Sequence, residues 1–378
     1  MNHAYITKIA SFFPNQPVGN DDMEKYLGQP GGISSLSKRI VLKNNGITRR
    51  YYALDAQGNV THTNVQMAVH AVEKLCSHGF SVDDIELLAA GTASPEQLVP
   101  SHGVMVHGLL GGKNAEVVSF AGSCCVGLHA LKYACLSLRA GEKDNAVCVA
   151  SERPSAWIHA KNFACEMERL RELEQKPILA FEKEFLRWML SDGAAALLLQ
   201  KEPPRTGCAL KVEWIDTCSY ASERETCMYA GGEKNGQGEL LGWTLFPESE
   251  WLPRSLFALK QDTRLLGDNI VKLGGRFLRE TAEKRNLRPE DIDWFLPHLS
   301  SMFFKDRVCD ELAASGFPIP AEKWFLNLPE VGNIASASYF AMLEALVRSG
   351  NLTPGQHILL MVPESARFSY GYSLLTVC

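Results

Sequence analysis

Gly122-Ser123-Cys124-Cys125-Val126-Gly127-Leu128-His129-Ala130-Leu131 decides how this chain is read. An apolar run, Ala115–Phe120, precedes it and has the length and composition of a buried strand. Small residues then make a tight turn. A helical pattern follows over Gly127–Ala140 and stops at Gly141, a residue suited to the left-handed conformation past a helix end. A cysteine at such a strand-to-helix turn feels the partial positive charge of the helix N-terminus, which favours the thiolate. Free backbone N–H groups there suit an oxyanion. Two small residues packing a turn would explain the segment equally well on its own.

The same rhythm extends outward on both sides. Tyr5–Ser11, Ile85–Gly91, Ala146–Ser151, Ala194–Leu199 and Leu210–Ile215 read as strands. Val65–His78 and Ser101–Leu110 read as helices. Further on, Leu265–Lys284, Met302–Ala314 and Ser336–Ser349 are helical, and Trp294–Pro297, His357–Val362 and Ser369–Val377 are strands. Alternation of this kind predicts an α/β fold. Ser81-Val-Asp-Asp-Ile85 leads into Leu87-Leu-Ala-Ala-Gly91 much as Arg288-Pro-Glu-Asp-Ile292 leads into Trp294-Phe-Leu-Pro-His298, which points to an internal duplication. The halves are expected at 1–205 and 206–378, with an insert at about 153–190. That insert is rich in Glu, Lys and Arg interleaved with Trp157, Phe163, Phe181, Phe185 and Trp188. It reads as two helical pieces split near Pro177, forming a cap over the core. The glycine-rich Gly231–Gly242 lacks phosphate-loop spacing and reads as a flexible surface loop.

Composition narrows the function. The chain has 378 residues, 46% hydrophobic and 21% charged, which excludes a largely disordered chain. A net charge of -5 argues against nucleic-acid binding. No apolar run is long enough to span a membrane. The N-terminus, Met1-Asn2-His3-Ala4-Tyr5, reads as the approach to a first strand and not as a signal peptide. Eleven cysteines, an odd number, read as buried thiols of a reducing cytoplasm, with Cys76, Cys135, Cys148 and Cys309 in apolar settings. No C-x-x-C occurs, and His102 and His107 are spaced for different helix faces, so no metal is expected.

Two further segments complete the pattern: Leu296-Pro297-His298 after a strand, and Val331-Gly332-Asn333-Ile334-Ala335-Ser336-Ala337-Ser338 opening a helix. With the Cys124 segment, Ser191-Asp192-Gly193-Ala194-Ala195-Ala196, Asn45-Gly46-Ile47-Thr48-Arg49-Arg50 and Pro354-Gly355-Gln356, the chain resembles the thiolase superfamily over essentially its whole length. Within it, the chain is similar to the β-ketoacyl-ACP synthase III-like condensing enzymes. The resemblance implies a five-layer αβαβα thiolase fold built from two similar halves, a homodimer, a cytoplasmic enzyme and no cofactor. It implies Claisen-type condensation of acyl thioesters by a Cys-His-Asn triad, Cys124, His298 and Asn333. A C-x-G register would choose Cys125 as nucleophile. The C-x-x-G register, with Leu131 further along, chooses Cys124, which is preferred with Cys125 as the alternative.

Where synthase III proteins end in a glycine-rich segment, this chain has Pro363-Glu364-Ser365-Ala366-Arg367-Phe368-Ser369-Tyr370-Gly371. This and the charged, aromatic insert look like the ketosynthase/cyclases that make dialkylresorcinol precursors. Such a cyclase needs a further base. Glu152, at a strand end, is the candidate, against the alternative of a surface acid. The oxyanion donors would be the N–H of Cys124 and one near Ala366. Partners would be acyl carrier protein or coenzyme A thioesters. Lys272, Arg276 and Arg279 lie on one helix face, where they suit an acidic carrier protein or form an ordinary solvated stripe. No tryptophan precedes Gly46 to stack an adenine, which weakens the case for coenzyme A. Two readings compete with the cyclising ketosynthase: an acyltransferase moving the Cys-bound acyl group to oxygen or nitrogen, and a plain synthase III of fatty acid synthesis.

Overall fold

The computed structural model describes residues 2–29, 38–76, 79–163 and 186–378. Nine strands form the main sheet: β1 (Tyr5–Phe12), β2 (Leu87–Thr92), β3 (Glu116–Ala121), β4 (Asn145–Glu152), β5 (Gly193–Gln200), β6 (Leu210–Ser219), β7 (Trp294–Pro297), β8 (His357–Glu364) and β9 (Ser369–Val377). Their order is β7-β8-β9-β6-β1-β5-β4-β2-β3. In one half β2 runs parallel to β4, β4 antiparallel to β5, and β5 antiparallel to β1. In the other, β7 is parallel to β8, β8 antiparallel to β9, and β9 antiparallel to β6. The two patterns are the same. They join where Tyr5 faces Lys211 and Ile6 faces Leu210 across β1 and β6.

Six helices complete the layers: α1 (Asn64–Glu73), α2 (His102–Leu110), α3 (Val126–Ala140), α4 (Thr263–Arg285), α5 (Lys305–Ala314) and α6 (Ser338–Arg348). Side-chain alternation along the strands assigns each face. Leu197 and Leu199 of β5, with Ile358 and Leu360 of β8, pack into a middle core with Leu131 and Leu138 of α3 and Tyr339 and Leu343 of α6. Ala196 and Leu198 face the opposite way, against Met67, Ala68 and Val72 of α1. Leu359 and Met361 do the same towards Leu273 and Phe277 of α4 and Val308 and Leu312 of α5. Three cores separated by two half-sheets are the five layers of a thiolase fold. Because the half-sheets are covered on both faces, their strands are continuous apolar runs, and every residue of β2 is buried.

Helix ends follow their sequence signals. Thr63 and Gln66 form a reciprocal cap at the start of α1. Asp262 caps α4 through the Leu265 N–H, and Asn286 ends that helix in the left-handed region. Gly141 does so for α3.

Three expectations change. Gly231–Gly242 is an ordered hairpin, Gly232–Lys234 against Leu240–Gly242, whose turn is held by Asn235 Oδ1 accepting from the N–H groups of Gln237 and Glu239. Cys309 is exposed, because it sits one position round α5 from buried Val308. Cys76 is half-buried. The middle of the expected cap, including Pro177, Phe181 and Phe185, lies outside the described residues; its flanks are a short helix, Ser155–Ile158, and a turn, Leu186–Trp188. Among the described residues no helix is long and apolar enough to cross a membrane.

Candidate active site

Cys124 lies between the end of β3 and the start of α3, with Cys125 as the residue capping the helix. The two thiols differ in surroundings. Cys125 is fully buried; its Sγ–H donates to the Val362 carbonyl at 3.3 Å and its N–H to Glu364 Oε2 at 3.0 Å. Cys124 is 8% exposed and forms part of a cavity wall. The helix-dipole expectation of a lowered thiol pKa is not met. Burial pushes the Cys124 thiol up to about 12, with the nearby Glu364 and Glu152 carboxylates opposing a thiolate as well.

α3 brings the turn against the opposite half of the molecule. A Cβ on Gly127 would sit 2.6 Å from the Ser336 carbonyl oxygen, so only glycine lets this helix approach the Ala335–Ala337 turn. That turn follows Asn333. The Asn333 N–H donates to the Met189 carbonyl at 3.0 Å, and its own carbonyl accepts from the Ser191 N–H at 2.9 Å. Its Oδ1 accepts from the Ala335 N–H at 2.9 Å, so the amide nitrogen Nδ2 is the group left to donate into the cavity. Gly332, at φ +72°, makes the bend; a Cβ there would meet Ser191 at 2.8 Å.

His298 leaves β7 with its N–H on the Met361 carbonyl at 2.8 Å. It is 3% exposed, and burial lowers its pKa to about 4, so the ring is neutral at physiological pH. A neutral imidazole donates at one nitrogen and accepts at the other.

Glu152 is no surface acid: it is 1% exposed at the end of β4. Oε2 accepts from Ser94 Oγ at 2.6 Å. Oε1 accepts from the Ala93 N–H at 2.9 Å and from Ser336 Oγ. Burial raises its pKa and these donors act against that rise. Ser94 escaped sequence reasoning, and Ser336 was visible only as part of the Val331–Ser338 segment, with no sign that it binds Glu152. Glu364 was visible only as part of the Pro363–Gly371 segment. It is a buried carboxylate that accepts backbone N–H bonds from Ser123 and Cys125 and so fixes the cysteine turn.

Cys124, Glu152, His298 and Asn333 line one cavity that reaches the solvent. Trp157, Leu186 and Leu190 from the flanks of the insert also line it. Ser365 is the wall residue of the C-terminal loop. Ala366 is one position further on, and its carbonyl accepts from the N–H groups of Cys227 at 2.8 Å and Met228 at 3.2 Å. Lys272, Arg276 and Arg279 lie elsewhere, exposed along α4. Arg276 is engaged locally by Glu223 and Glu280, both at 3.1 Å, which leaves its charge largely neutralised. No cluster of three metal-ligating side chains occurs among the described residues.

Comparison with known proteins fits this geometry. Residues 282–376 match the family model for the C-terminal part of 3-oxoacyl-[acyl-carrier-protein] synthase III, the stretch that carries His298 and Asn333. The β-ketoacyl-[acyl-carrier-protein] synthase III of Clostridium perfringens is 25% identical, with 99% of each chain covered. The chain is similar to this synthase III over its whole length. Solved structures with the same fold as this synthase III-like chain include the tetronic acid condensing enzyme AbyA1, at 19% identity and TM-score 0.76, and OleA of Xanthomonas campestris, solved with bound lauric acid and lauroyl-CoA, at 20% identity and TM-score 0.73. Each match covers 99% of both chains.

Proposed function

We propose that this synthase III-like protein is a ketosynthase that joins two acyl thioesters through an acyl-enzyme on Cys124. The observation that carries the reading is the convergence of Cys124, His298 and Asn333 on one cavity. Loading begins when Cys124 Sγ attacks the thioester carbonyl. The thiol proton leaves as the C–S bond of the substrate breaks, and the departing thiolate takes up a proton. The Cys124 N–H and one from the Ala366 loop hold the oxyanion. The second thioester then loses CO₂ or an α-proton. The resulting enolate oxygen is held by His298 and by Asn333 Nδ2, two donors that act without carrying charge. Its carbon attacks the Cys124 thioester, a C–C bond forms, and the cysteine sulfur is released. Loading one thioester and supplying malonyl or β-ketoacyl thioesters tests this; mass spectrometry should find the C–C product. His298→Ala and Asn333→Ala should retain loading and lose condensation by about a thousandfold, the scale of removing a preorganised donor. Loading followed only by transfer to oxygen or nitrogen would favour the acyltransferase reading.

The finer reading is cyclisation to a cyclohexanedione of the dialkylresorcinol type, with Glu152 as base. Its support is a buried carboxylate on the same cavity wall as Cys124. Glu152→Gln should load Cys124 and raise the ratio of linear to cyclic product; an unchanged ratio removes Glu152 as the base, and absence of cyclic product from the unsubstituted enzyme returns the protein to a plain synthase III. Acyl carrier protein or coenzyme A thioesters are the proposed donors, with Lys272 and Arg279 of the α4 stripe retaining charge for a carrier protein.

A further inference from the structure

We infer that Glu364 guards the nucleophile: its carboxylate takes the place at the start of α3 that a Cys124 thiolate would need, and so holds the sulfur in its thiol form at rest. This deepens the ketosynthase reading and rests on Cys124 being its nucleophile. Side-chain alternation at the end of β8 puts Glu364 there. Met361, Pro363 and Ser365 line the cavity, whereas Val362 faces the middle core. Glu364 shares the side of Val362, beneath the cysteine turn, and is buried. Its Oε2 accepts from the Cys125 N–H at 3.0 Å, and the carboxylate also accepts from the Ser123 N–H and the Ser369 hydroxyl. Glu364 belongs to the Pro363–Gly371 segment, which stands in the place of a glycine-rich one.

The two backbone donors flank Cys124 in the chain. Their turn opens α3, where free N–H groups and the helix dipole favour one anion, and the Glu364 carboxylate is that anion. The Cys124 N–H, between them, lies against its own sulfur and is left for an oxyanion. A second negative charge at this turn meets no compensation. The titratable groups of the turn and the cavity wall are Cys125, Glu364 of β8, Glu152 of β4, His298 after β7, Glu311 of α5 and Tyr372 of β9. None is a cation, since burial keeps His298 neutral, and no lysine or arginine lines the cavity among the described residues. Both nearby carboxylates oppose a thiolate, Glu364 more than Glu152. The cavity reaches the solvent, so a stray electrophile that enters it meets a thiol, which is a poor nucleophile.

Iodoacetamide labelling of Cys124 in the full chain, followed from neutral to strongly alkaline pH by peptide mass spectrometry, tests the inference. Glu364→Gln removes the charge and keeps the shape. Its labelling midpoint should fall by about one pH unit, a gain of about tenfold at neutral pH, with the rate on the alkaline plateau unchanged. Glu364→Asp keeps the charge and should keep the high midpoint. Glu364→Gly removes the whole side chain; its midpoint should fall likewise, and it supplies the reading if the glutamine variant does not fold. An unchanged midpoint in either neutral variant that folds overturns the guard. So does labelling that is faster by the same factor at every pH, which marks a loosened turn. Both results leave the ketosynthase reading intact. Failure of acyl thioesters to load Cys124 of the unsubstituted enzyme overturns that reading itself, whatever the labelling profile.

Discussion

Cys124 rests as the thiol, since burial and the nearby Glu364 and Glu152 carboxylates raise its pKa, and the proposed attack on a thioester therefore has to remove that proton. Iodoacetamide at neutral pH should therefore label exposed Cys208, Cys309 and Cys378 ahead of Cys124, and Cys124 labelling should climb about tenfold per pH unit in the alkaline range. Peptide mass spectrometry checks both statements. Fast labelling of Cys124 at neutral pH would show that its proton is already shared with a base. His298 gives the complementary prediction. Its folded pKa, about 4, is below its ordinary 6.5, so the pH must fall well below the usual range before the ring gains a proton. Condensation should show no inflection near 6.5 on the acid side; one there would mean a solvated, titrating imidazole.

At the scale of elements, Asn333 depends on a chain of backbone contacts that begins far from it. Arg50 Nη2 and Asn45 Nδ2 both donate to the Trp188 carbonyl, at 3.0 and 2.9 Å. The next carbonyl, Met189, receives the Asn333 N–H, and Leu190 bridges to Asn333. The Asn45–Arg50 segment thus positions Asn333 through the returning end of the insert. Arg50→Lys keeps the charge and loses the forked geometry. Condensation should fall about tenfold, on the scale of one charge-assisted hydrogen bond, with loading unchanged. Equal loss of both steps would mark a general folding defect.

What the sequence reveals follows the same division. β5, β8 and α3 are legible because long apolar runs and a glycine stop leave few alternatives. His298 and Asn333 stand out in the sequence only together with the Cys124 segment, because a single histidine after a strand or a single Gly-Asn turn is commonly structural; the fold brings all three to one cavity. The serines that hold Glu152 come from β2's exit and from the turn before α6, residues distant in the chain and joined only when the half-sheets stack. Cys309 misleads because neighbouring apolar residues say nothing about which side of a helix a position occupies.

At the scale of the molecule, β3 is the end strand of the sheet and its residues are only half-buried. Nearby in the sequence, Leu98, Val99, Val104 and Leu109 are exposed, at 76%, 84%, 49% and 54%. An open edge beside apolar surface suits pairing with a second copy. Sedimentation should give about twice 41.8 kDa at micromolar concentration, and Val99→Glu should shift the equilibrium towards the single chain. A monomer in the unsubstituted protein would assign that surface to another partner.

The link between the two halves is the exposed stretch between Gln200 and Leu210, with residues 202–208 all open to solvent. The middle core crosses from one half-sheet to the other, and Glu152 and Cys124 belong to the half opposite His298 and Asn333. A cut in the link would therefore sever the chain without dissolving the interface. Two fragments, co-expressed and divided there, should reconstitute acylation and condensation together, and neither should act alone. Recovered activity of such a pair would report when two targets fused to the fragments meet.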